Sequence, residues 1–115
     1  MLAQYGGLDG VRDEGLLESA LKRPRHLCDY GRPTLCELAA SYAGGIIRIH
    51  PFNDGNKRTG FMLAAAFLEV NGNRMIASEE EVYRQTLAFA AGESGESRYA
   101  EWLSRCSSPA RKPRK

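Results

Sequence analysis

Apolar positions in this chain recur at intervals of three and four residues, the spacing of one helix face, and no stretch alternates convincingly as a strand requires. Leu16, Leu17, Ala20 and Leu21 form the first stripe and predict a helix over about 13–22, with Asp13 as its N-cap and Pro24 as its stop. The stretch 23–33 holds two prolines, His26, Tyr30 and Gly31, and reads as an irregular flap. A second stripe, carried by Leu35, Leu38, Ala39, Tyr42, Ala43, Ile46 and Ile47, predicts a helix running to about 49. Thr34 and Glu37 open it as a capping box, each side chain taking an amide of the first turn that has no partner within the helix. Gly44 and Gly45 lower helix propensity by roughly 1 kcal/mol each, so they point to close packing against another helix.

His50-Pro51 ends that helix, because the residue before a proline is pushed out of the helical region. A third helix is expected from about 55 to 71, stopping at Gly72. Its stretch 61–68 is apolar nearly all round, the mark of a central buried helix. Ser78 with Glu81 makes a second capping box and opens a helix to about 91; a last helix over about 96–106 turns Tyr99, Trp102, Leu103 and Cys106 inward. The class is all-α: one helical domain over 1–106, followed by a basic, disordered tail over 107–115.

Composition narrows the function. With 115 residues, 43% of them hydrophobic and 26% charged, the chain has ordinary globular usage and one core. No apolar run approaches the roughly 20 residues of a membrane-spanning helix, and no charged segment followed by an apolar run opens the chain. Membrane and secreted classes are therefore disfavoured. Cys28, Cys36 and Cys106 cannot all pair within one chain and lack zinc-site spacing, so they read as reduced thiols of a cytosolic protein. Removing Arg111, Lys112, Arg114 and Lys115 reduces the 16 basic residues to 12, against 14 acidic ones. The basic excess belongs to the tail, so no direct nucleic-acid contact is expected of the domain.

The chemistry concentrates in His50-Pro-Phe-Asn-Asp-Gly-Asn-Lys-Arg-Thr-Gly60. A proline-broken loop here delivers a histidine, a carboxylate and two cations to the mouth of an apolar helix. The amides of Gly55, Asn56 and Lys57 fall in its first turn, where the positive dipole end favours an anion. Lys57 and Arg58 add charge at the same place, and Asp54 is a hard oxygen ligand suited to Mg²⁺ carried in by a phosphate. His50 is the natural general base, its neutral form favoured by Arg48, Lys57 and Arg58 nearby. Phe52 reads as the apolar anchor of the loop, with Asn53 supporting the motif. The Gly-Lys-Ser/Thr end of a Walker A loop is absent.

This stretch resembles the signature of the Fic/Doc superfamily, HPFx[DE]GN[GK]RxxR, and matches it through Arg58. Lys57 where adenylylating Fic enzymes carry glycine, and Phe61 where they carry a second arginine, resemble the death-on-curing (Doc) toxin branch of type II toxin–antitoxin systems. The block from Tyr5 to Leu21, Asn71-Gly72 and the segment from Ala90 to Glu93 are similar to that branch as well. The resemblance implies a Fic/Doc-like bundle with the active-site loop at the N-terminus of its central helix. Family members usually carry a further helix ahead of the Tyr5-Gly-Gly segment, so either the start lies upstream or the domain is trimmed.

The resemblance also implies an activity: transfer of the γ-phosphoryl group of ATP to a hydroxyl of elongation factor Tu, arresting translation in the bacterial cytoplasm. His50 would then be the base, Asp54 the Mg²⁺ ligand, and Gly55, Asn56, Lys57 and Arg58 the phosphate contacts. The implied partner is a Phd-type antitoxin whose C-terminal segment folds across the groove, with protein substrate docking near the flap. The alternatives are AMP transfer, as in Fic enzymes, and a catalytically idle module that binds antitoxin or nucleotide.

Overall fold

The computed structural model describes Val11, residues 13–49 and residues 55–109. Within these residues the chain forms α1 (Glu14–Tyr30), α2 (Leu35–Ile49), α3 (Asn56–Val70), β1 (Asn73–Met75), α4 (Glu79–Ala90), α5 (Glu96–Arg105) and β2 (Ser107–Pro109). Among the described residues the fold is all-α, with one short two-stranded ribbon. None of the described helices is long and apolar enough to cross a membrane.

Local signals set most helix starts. Asp13 caps α1 by accepting from the Leu16 amide at 3.1 Å. At α2 the capping box is complete: Thr34 N donates to Glu37 Oε1 at 2.8 Å, and Glu37 N donates to Thr34 Oγ1 at 3.1 Å. At α4 only half of it forms. Ser78 Oγ accepts from the Glu81 amide at 3.1 Å, whereas the Glu81 carboxylate is taken by the Trp102 indole N–H at 3.0 Å. A buried indole N–H needs an acceptor, and that demand outweighs one exposed backbone amide.

Three expectations are corrected. First, α1 runs straight through Pro24 to Tyr30, so there is no flap over 23–33. Proline in a helix interior removes one hydrogen bond at a cost of about 3 kcal/mol. Pro24 is itself buried, and with buried Ala20 and half-buried Leu27 it continues the apolar stripe of the predicted helix. Ala20, whose carbonyl the Pro24 nitrogen cannot bond, lies against Gly45 of α2; a Cβ on Gly45 would sit 2.7 Å from that oxygen. Helix packing thus keeps α1 intact where local propensity would end it.

Second, the chain does contain strands. β1 and β2 pair antiparallel with Asn73 opposite Pro109, Arg74 opposite Ser108 and Met75 opposite Ser107. Elements of three residues are too short for alternation to show in a sequence. The pairing also makes 107–109 part of the domain rather than of a disordered tail.

Third, the most buried helix is α2, enclosed without interruption from Ala39 to Ile47 except at half-buried Tyr42. It packs against α1, α3, α4 and α5. By contrast α3 buries only Gly60, Ala64 and Leu68. The centre of the core is aromatic: Tyr99 stacks on Phe89 with centroids 4.5 Å apart and meets Trp102 at 5.3 Å.

Candidate functional site

The site begins where α3 begins. Gly55 precedes the helix with φ +76°, a left-handed conformation in which a side chain is strained, and it brings no side chain to cap the helix. Arg58 folds back over it: a Cβ on Gly55 would lie 3.4 Å from Arg58 Nη2. The positive end of the α3 dipole and a guanidinium therefore occupy one place, with Lys57 beside them and both cations exposed. That arrangement suits a phosphate. His50, Phe52, Asn53 and Asp54 lie outside the described residues, as do the last six residues of the chain.

From this point a cleft of about 890 Å³ runs along α3. Its α3 wall is Lys57, Phe61, Ala65 and Glu69, a stripe at four-residue spacing. Val82, Tyr83, Thr86 and Leu87 of α4 form the opposite wall, and β1 adds Arg74 and Met75. The cleft is thus charged at the α3 start and apolar along its middle. The sequence reading identified Gly55, Asn56, Lys57 and Arg58, which all line it, and missed the α4 wall. The i, i+4 pair of Tyr83 and Leu87, exposed on the same helix as Glu79, Glu80 and Arg84, is the signal that could have revealed it.

Behind the cleft wall, Thr86 and Tyr99 share a hydrogen bond of 2.9 Å between their hydroxyls. Burial pushes the Tyr99 phenol up to about 12, the bond to Thr86 opposing that rise. At the other side of α2, Arg23 of α1 pairs with Glu96 of α5 at 2.7 Å. The Glu96 carboxyl is raised above its ordinary value by burial, which outweighs the attraction of Arg23 and Arg48. Arg48, in the last turn of α2, lies over the Phe89 ring at 5.2 Å. Cys106 is raised by burial and by the Glu81 carboxylate, so it is a poorer nucleophile than a free thiol.

The stretch read as a substrate-docking flap sits elsewhere. Gly31, Arg32 and Pro33 line a second hollow of about 290 Å³ with Glu96 and Ala100, and it shares no lining residue with the α3 cleft. Among the described residues no three His, Cys, Asp or Glu side chains gather as a metal site. The donors at the α3 start suit an anion.

The described residues thus form a helical domain whose charged α3 start opens into a cleft between α3 and α4. Residues 1–68 match the model of the Fic/DOC family. The chain belongs to that family and to its Doc toxin branch. It is 37% identical over 105 residues to the protein kinase doc of Escherichia phage P1, a match covering 90% of this chain and 82% of that protein. It is also 41% identical over 76 residues to the toxin Doc of Mycolicibacterium smegmatis, covering 64% of this chain and 58% of that one.

Proposed function

We propose that this protein is a toxin that transfers the γ-phosphoryl group of ATP to a hydroxyl of a translation factor, elongation factor Tu, and so arrests protein synthesis in the bacterial cytoplasm. The observation that carries the reading is the start of α3, where left-handed Gly55, the returning Arg58 guanidinium and Lys57 meet at the mouth of the cleft. The relative named a protein kinase supports it.

In this reading the acceptor oxygen bonds to the γ-phosphorus and the bond from that phosphorus to the β–γ bridging oxygen breaks. ADP leaves, and the acceptor proton passes to the His50 imidazole. Such a transfer needs chiefly positioning and charge stabilisation, which a small set of groups can supply. The amides of Gly55 and Asn56 orient the phosphates, while Lys57 and Arg58 stabilise the charge on the transferring group. Asp54 would hold Mg²⁺, whose contribution is to offset phosphate charge. A Phd-type antitoxin would silence the protein by folding a segment across the cleft.

The test is label transfer to purified elongation factor Tu from ATP labelled at either the γ- or the α-phosphorus. The reading requires γ label in the wild type and none with His50→Ala. Transfer of α label would make the protein an adenylyltransferase, and transfer of neither label would reject this factor as the substrate.

A further inference from the structure

We infer that the second half of α1, residues 25–30, is a hinged lid over the hollow at the start of α5, with Pro24 as the hinge and the Arg23–Glu96 pair as a pin that stops opening from passing back into residues 18–23. The sequence supplies the hinge. Pro24 has no N–H to give the Ala20 carbonyl, so the hydrogen-bond ladder of α1 is interrupted between its two halves. Burial changes across it. Up to the hinge, Leu16 and Leu17 are half-buried, Ala20 is fully enclosed and Pro24 itself is buried. Beyond it Leu27 is half-buried, while Arg25, His26, Cys28 and Asp29 are exposed.

Tertiary contacts divide at the same place. Helix α1 packs chiefly on α2, and the close approach of Ala20 to Gly45 lies on the N-terminal side of Pro24. So does the tie to α5. Glu96 Oε1 accepts from Arg23 Nη2 at 2.7 Å, and it reaches Arg23 over α2 because Gly44 has no side chain: a Cβ there would sit 2.8 Å from that oxygen. Beyond the hinge, Leu27 and Pro33 face Ser97 and Ala100 of α5 around the hollow of about 290 Å³, so open space rather than close packing lies beneath this half. The end of α1 is not fastened either. Gly31 leaves the helix in an extended conformation, not the left-handed one that turns a helix end back onto its last carbonyls, and no basic residue in the last turn offsets the dipole. A half-helix with a broken ladder at its base and one half-buried apolar side chain opens more readily than the half that carries Ala20 and Arg23. Opening uncovers Leu27 and the Glu96 side of the hollow. The hollow shares no lining residue with the α3 cleft, so the lid stands or falls separately from the kinase reading.

The experiment is amide hydrogen exchange of the full chain, resolved residue by residue by NMR. Amides 25–30 should exchange as one unit, roughly tenfold or more faster than amides 18–23 after correction for intrinsic rates, with a step at Pro24. Pro24→Ala, which returns an N–H to the Ala20 carbonyl, should shrink that step by slowing 25–30. Arg23→Gln should shrink it from the other side, by speeding exchange at 18–23. A gradual rise from 18 to 30 with no step, or a step unchanged in Pro24→Ala, would overturn the hinge. Unchanged exchange at 18–23 in Arg23→Gln would overturn the pin. If Arg23→Gln folds poorly because it leaves the Glu96 carboxylate unpaired, Glu96→Gln removes the same ion pair without that penalty and is read in the same way.

Discussion

Helices α2 and α3 have the same length and similar apolar content, yet the fold uses them in opposite ways. In α2 both sides are covered by other helices, and Ala39, Ala40, Ala43, Gly44 and Gly45 keep the neighbouring backbones close. In α3 only Gly60, Ala64 and Leu68 are fully buried, with Phe61 and Phe67 packed half-buried against the core; Met62 and Val70 stay 60% and 82% exposed, and Phe61 and Ala65 line the cleft. The difference teaches that apolar residues all round a helix do not ensure burial. What ensures it is small residues that let partners approach from several sides, and α3 leaves one face open along the cleft.

If α2 is the structural helix and α3 the working one, substitutions should separate along the same line. The largest effect is expected at Gly45. A side chain there collides with the Ala20 backbone at 2.7 Å, and backbone cannot move aside as a flexible side chain can. Gly45→Val should cost about 3 kcal/mol or more in denaturant unfolding, against well under 1 kcal/mol for a surface helix glycine. Arg58→Ala on α3 should do the reverse: transfer activity falls about a hundredfold, the loss typical of one charge-stabilising donor, while the unfolding midpoint barely moves.

Next is the hydroxyl pair behind the cleft. The Tyr99 phenol binds its proton more tightly in the folded state, so its contribution to stability is complete below about pH 10 and is lost as pH rises toward 12. Alkaline unfolding of wild type should show a decline on the order of 2–3 kcal/mol over that range. Tyr99→Phe should flatten it, and an equally steep decline in that variant would assign the loss to other groups.

Glu96 gives a smaller effect of the same sign. Its folded value lies above 4.5, so stability falls as pH rises from 4.5 through that value, and Glu96→Gln should remove this slope from thermal scans in the acid range. The smallest effect is at Met62: Met62→Ser should change stability by less than about 0.5 kcal/mol, and a larger loss would mean that this face of α3 is covered in solution.

The sequence by itself determined what is local. Asp13, Thr34 with Glu37, and Ser78 mark helix starts because a capping oxygen must lie within three residues of the amide it takes. The loop motif marked the charged start of α3 because its residues are adjacent in the chain and need no distant partner to be recognised together. Tertiary structure alone decided the rest. Pro24 stays inside a helix because α2 offers a glycine against Ala20, twenty-five residues further on, a juxtaposition no window of sequence contains. Glu81 abandons its capping role for the Trp102 indole, twenty-one residues away. The ribbon joining Asn73–Met75 to Ser107–Pro109, and the cleft wall that α4 lends to α3, exist only after the chain has closed. Local chemistry is written in neighbours, whereas burial and clefts are properties of pairs of elements, and those pairs form only through packing.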